Sequence, residues 1–128
     1  MIVTFGECLV DLFAHPRGAS IADASHFVPC FGGAPANVAV VAARLGARAR
    51  FVGAVGRDAH GDRLVRELAG AGVDVRSVVR VPERTGITFV RVADDGQRSF
   101  LFYRNGGADY ARSRAHLDAL AEHPLEGA

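Results

Sequence analysis

Three short stretches hold residue types that could do chemistry. The first is Gly32-Gly33-Ala34-Pro35-Ala36-Asn37. Two glycines where an extended run meets a helix let a ligand come close to the backbone. The helix start adds unpaired N–H groups and a partial positive charge. Asn37 falls in the first turn, where its amide can offer the same ligand a donor and an acceptor. Together these suit a polar ligand such as a sugar, whose hydroxyls also donate and accept. A tight turn that merely starts a helix is the plainer reading of the same residues.

The second is Asp11, which interrupts the apolar stretch Leu9-Val10-Asp11-Leu12-Phe13. A carboxylate there must be paired, hydrogen-bonded or at work. A sugar diol would give it two hydroxyl donors; the alternative is a solvated strand face. Glu7 is a weaker contact with a structural reading. The third is Phe100-Leu101-Phe102-Tyr103-Arg104. Alternate residues of such a strand face one side. Aromatic rings on an inward face would cover a sugar and exclude water, or would simply be core.

Other chemistries lack their residues. A nucleotide P-loop needs Gly-x-x-x-x-Gly-Lys-Ser/Thr, and all 15 basic residues here are Arg. The Gly-x-Gly-x-x-Gly spacing of a dinucleotide site is absent. The 5 His residues show no metal-ligand spacing. Cys8 and Cys30 form no redox or metal pair and read as buried free thiols.

Elements must position these residues. Residues 2–5 read as a buried strand ended by Gly6, and residues 9–14 as a second extended piece broken by Pro16 and Gly18. Residues 27–31, interrupted by Pro29, suit an edge strand. The Ala-rich run 38–45 is a helix with Pro35 in its first turn and Gly46 as its stop. Residues 50–55 form another buried strand, and Asp58 can cap a helix over 59–69 closed by Gly70 and Gly72. Residues 73–81 are extended. Residues 85–93 and 99–103 flank Asp94-Asp95-Gly96, a hairpin turn. A last helix is expected over 112–122.

Strands alternate with helices in 1–6 and 32–80, which argues for a parallel α/β core. Strands in 9–31 and 85–104 have no helices of their own and read as a separate small sheet over one end of that core. Neither repeats nor long linkers divide the 128 residues, which make one unit over 1–128. The hydrophobic share of 49% and the mean hydropathy of +0.14 fit a folded domain rather than a disordered tail. A net charge of +1 gives no electrostatic case for nucleic acid or an anionic membrane surface. No apolar stretch approaches the roughly 20 residues of a membrane span, and the N-terminus lacks a secretory start.

Several ordered motifs together resemble one family. Gly6-Glu7-Cys8-Leu9-Val10-Asp11 is similar to the opening of fructokinases, and residues 32–46 to the first signature of the ribokinase, or PfkB, family. Residues 51–58 with Gly61, Gly72-Val73-Asp74-Val75, Arg84-Thr85, residues 95–100, residues 102–105 and Ala108-Asp109 resemble fructokinases in order and spacing. The resemblance spans about residues 1–122. It implies a ribokinase-like α/β fold: a parallel sheet flanked by helices, with a small β-sheet lid within 9–31 and 85–104. It implies that Asp11, Gly32, Gly33 and Asn37 hold sugar hydroxyls and that Phe102 and Arg104 close over the sugar. Ala34 stands where ribokinases typically carry Lys, which favours fructose over ribose. Gly106-Gly107 departs from the Pro-Ser of plant-type fructokinases.

The resemblance also implies what lies elsewhere. The family's second signature, with its general base, belongs to a C-terminal half that these residues do not reach. The expectation is therefore an ATP- and Mg²⁺-dependent sugar kinase in the intact enzyme. This chain would bind sugar, contribute no catalytic residue, hold neither ATP nor metal alone, and be inactive by itself. The lid would join two subunits of a cytoplasmic homodimer. A kinase of the same family for 2-keto-3-deoxygluconate, a nucleoside or another sugar is the alternative, as is a truncated sugar-binding module without catalysis.

Overall fold

The computed structural model describes residues 1–111 together with 118, 121 and 122. Its elements are β1 (Ile2–Phe5), β2 (Leu9–His15), β3 (His26–Gly32), α1 (Ala34–Arg44), β4 (Ala49–Gly56), α2 (Ala59–Gly70), β5 (Val78–Val81), β6 (Ile87–Val92) and β7 (Arg98–Tyr103). The helix read at 112–122 lies outside the described residues, save three helical positions at 118, 121 and 122.

Two sheets form. One is three-stranded and parallel, in the order β1-β4-β5. Its middle strand, β4, is buried along its whole length, as the unbroken apolar run requires. Arg50 is the exception in type: its side chain pairs with Asp74 at 2.8 Å, and a lone parallel backbone bridge joins the same two residues. That bridge explains a difference from the reading of 73–81 as extended. The chain turns after Asp74, and only Val78–Val81 is strand.

Both helices share one core with this sheet. α1 presents Ala36 and Ala39, and α2 presents Leu64 and Leu68, to Phe51 and Val55 of β4. Small residues on α1 let it lie close to the strands. Pro35 sits in its first turn, and Gly46, at φ +87°, ends it. Asp58 caps α2 by accepting from Gly61 N at 2.8 Å.

The second sheet has four strands in the order β3-β2-β6-β7. β2 runs antiparallel to β3 and parallel to β6, and β6 is antiparallel to β7. Pro29 lies on β3, at an edge, where its missing N–H costs no inner ladder bond. The β6–β7 hairpin turns at Asp94-Asp95-Gly96, with Gly96 at φ +85° and Gln97 O accepting from Ala93 N at 2.8 Å. One face of this sheet, with Val10, Leu12 and Phe31, packs against the core shared with α2. The other face carries Asp11.

Thr85 fastens the two sheets. Its N–H donates to Asp58 Oδ2 and its hydroxyl to Asp58 Oδ1, both at 2.8 Å. The same hydroxyl accepts from Gly56 N at 2.9 Å. The end of β4, the start of α2 and the approach to β6 therefore meet at one side chain.

Candidate functional site

The registers of the four-stranded sheet align Cys30, Asp11, Thr88 and Phe102 as one row across it. Side chains at directly opposed positions share a face, so Asp11 and Phe102 lie on the same side. Gly32 adjoins them: a Cβ there would lie 2.5 Å from Asp11 Oδ2. Only a residue without a side chain lets β3 carry the turn into α1 and leave the Asp11 carboxylate in place. Gly33, at φ +104°, takes a backbone conformation that glycine alone adopts readily, and a Cβ on it would run into the Glu7 carbonyl.

Asp11 is half-buried. Burial pushes its carboxyl above the ordinary aspartate value, and the guanidiniums of Arg104 and Arg98 pull it partway back. No side chain or backbone N–H among the described residues donates to it. Beside it, Thr88 is fully buried, its hydroxyl without a hydrogen-bond partner among the described residues. The half-buried Asp11 carboxylate offers a ligand an acceptor, while the Thr88 hydroxyl beside it is enclosed.

Phe102 and Arg104 line an open cleft of about 730 Å³ with residues 82–85, Ile87 and 105–107. Arg104 is held from three sides. Its guanidinium lies 5.8 Å from the Phe102 ring centre and 5.3 Å from that of Tyr110. Its Nε donates to Asp109 Oδ2 at 2.8 Å, and Nη2 donates to the same oxygen.

The structure thus brings Asp11, Gly32, Phe102 and Arg104 to one face and its end. Gly33 stands next to Gly32 at the α1 start. Asn37 is placed elsewhere: it is exposed on α1 and lines a groove of about 450 Å³ between α1 and α2, with Phe31, Val40, Arg44 and Glu67. Glu7, read as structural, accepts from Ala34 N at 3.2 Å and occupies the first free donor of α1.

Two expectations need correction. The plainer reading of the β7 aromatic residues was core. All of Phe100, Leu101, Phe102 and Tyr103 are instead exposed, because β7 is an edge strand and no element among the described residues covers it. The two thiols were to be buried alike. Cys8 is buried, and burial, helped by Glu67 and Glu7, pushes its thiol up to about 12; Cys30, on the edge strand β3, is only half-buried.

Sequence reasoning missed Asp109 and Thr88. Asp109 was visible only as part of a motif; its burial depends on the turn after β7 folding back on residues 84–86. Thr88 was an ordinary strand residue until register placed it beside Asp11. Among the described residues, no group of three His, Cys, Asp or Glu could hold a metal ion.

The chain is similar to known proteins over most of its length. Fructokinase-1 of Oryza sativa subsp. japonica is 45% identical over 119 residues, 92% of this chain and 37% of that protein. The crystal structure of fructokinase with bound ATP from Xylella fastidiosa matches with a TM-score of 0.76 and 45% identity, over 90% of this chain and 34% of that one. The 2-dehydro-3-deoxygluconokinase of Thermotoga maritima matches with a TM-score of 0.83 and 28% identity, over 94% of this chain and 38% of that one. The chain thus spans little more than a third of the length of its relatives. The sequence model of pfkB family carbohydrate kinases matches residues 1–124, and the chain belongs to that family.

Proposed function

We propose that this chain is the sugar-binding part of an ATP-dependent fructokinase. The observation that carries the reading is the half-buried Asp11 carboxylate, without a donor among the described residues, beside Gly32 and in one row with Thr88 and Phe102. A sugar's vicinal hydroxyls supply the missing donors. Phe102 would cover an apolar ring face, and Arg104 would donate to a hydroxyl oxygen. Such a surface binds, orients and shields a substrate from water.

Fructose is favoured over an acidic sugar by charge as well as by likeness to fructokinases. Arg104 is already neutralised by Asp109, so the cleft offers donors without a net charge for a carboxylate to seek. The Thermotoga relative keeps 2-keto-3-deoxygluconate as the second reading. The Xylella structure with bound ATP supports use of ATP; nucleotide and Mg²⁺ are assigned here to the rest of the whole protein, and no residue of this chain to either. Asn37 would join the sugar site only by an approach from the α1 side.

We place the protein in the cytoplasm, as a homodimer joined through the exposed β7 strand, with no nucleic acid or membrane partner. Among the described residues no helix is long and apolar enough to cross a membrane. The test is ATP-dependent phosphorylation of fructose, ribose, a nucleoside and 2-keto-3-deoxygluconate by the whole protein, beside this chain alone at 13.5 kDa. Fructose is expected to be the best substrate of the whole protein, with no turnover by the short chain. Preference for another substrate, or turnover by the short chain, would overturn the reading.

A further inference from the structure

Asp109 is the most deeply enclosed carboxylate near the cleft. Its side chain is 0% exposed, and that of its partner Arg104 is 20% exposed. One oxygen, Oδ2, takes both Nε and Nη2 of Arg104. The other, Oδ1, is buried with no hydrogen-bond partner among the described residues. Space for it exists only because Gly86 and Gly107 lack side chains: a Cβ on either would lie 2.9 or 3.1 Å from Oδ1. Backbone bonds brace the surrounding turn, from Ala108 N to Arg84 O and from Gly107 N to Arg104 O, both at 2.8 Å.

This arrangement is poor as a device for stability. A buried ion pair with one oxygen unsatisfied contributes little, and an apolar pair of the same size often does as well or better. It is a good device for direction. With Nε and Nη2 committed to one oxygen, the guanidinium can no longer swing, and Nη1 is the nitrogen left for a ligand. The rings of Phe102 and Tyr110 fix the plane, and Asp109 fixes the rotation within it.

We propose that Asp109 is a positioning residue for the sugar: its buried carboxylate aims the Arg104 guanidinium into the cleft beside Phe102. This rests on the sugar-kinase reading and deepens it. Asp109 touches no substrate and acts through Arg104 alone. Because the pair is neutral, the donor it aims selects hydroxyl oxygens rather than a charged group.

The experiment is a double-mutant cycle in the whole protein with Asp109→Asn, Arg104→Ala and both together. Fructose KM, kcat, ATP KM and fructose Kd by calorimetry are measured for each. Asp109→Asn is expected to raise fructose KM and Kd about tenfold, the scale of one charge-assisted hydrogen bond. Its kcat and ATP KM should stay within about twofold. In the Arg104→Ala background the second substitution should change fructose KM less than about twofold. Equal effects in both backgrounds, or no effect of Asp109→Asn on an active protein, would overturn the proposal.

Should Asp109→Asn fail to fold, the Nε–H resonance of Arg104 in the unliganded wild-type protein decides. A slowly exchanging Nε–H supports the clamp, and rapid exchange overturns it. A wild-type protein that neither binds nor phosphorylates any sugar sinks the sugar-kinase reading and this proposal with it; sugar binding indifferent to Asp109 sinks only the proposal.

Discussion

Asp11 is a carboxylate whose charge is disfavoured by burial; Arg104 and Arg98 offset that cost only in part, and no N–H among the described residues donates to it. Such a group waits for a donor. Its raised pKa sets a sign: protonation destroys the acceptor, so sugar affinity should fall as pH drops through a value above the ordinary 3.8. Calorimetric titration with fructose from pH 7 down to pH 4 checks this in the wild type. Asp11→Asn should weaken fructose binding at least about tenfold and flatten that pH dependence, since the group that titrates is gone. The same carboxylate works against folding when ionised, so Asp11→Asn should leave stability unchanged or slightly raised. Loss of stability without loss of sugar affinity would return Asp11 to a merely structural role.

Among the elements, the knot of Asp58 and Thr85 holds the α/β part to the second sheet. Burial alone would raise the Asp58 carboxyl; the bonds from Thr85 N, Gly61 N and the Thr85 hydroxyl outweigh it and hold it below 3.8. A carboxyl lowered by folding stabilises at pH above its unfolded value, and that contribution disappears as pH falls through the folded one. Asp58→Ala should therefore cost about 1–2 kcal/mol near neutral pH, the range for a lost cap, and less in acid, where the wild type has also lost the charge. Urea melts at pH 7 and pH 3 measure both. The cap was legible in the sequence because Asp before a helical run followed by Gly61 is a local signal. Its second partner was not, because Thr85 lies 27 residues away and only the β4–β6 arrangement brings it near.

At the scale of the whole molecule, the division into a parallel α/β part and a separate sheet was readable from the rhythm of strands with and without helices. The order β3-β2-β6-β7 was not, since a parallel pair joins β2 to a strand some 70 residues on, and no local turn specifies it. The exposure of β7 was equally hidden: alternation marks two faces but does not say that both are open. That open edge, with Leu101 at 43% and Tyr103 at 64% exposure, invites a second copy. Sedimentation should show a dimer that Leu101→Lys converts to monomer with fructose affinity within about twofold; a wild-type monomer would remove the lid from the interface. An NMR titration of the labelled 128-residue chain with D-fructose should shift the amides of Asp11, Gly32, Thr88, Phe102 and Arg104. A spectrum unmoved at saturating fructose, or shifts confined to the groove between α1 and α2, would contradict it.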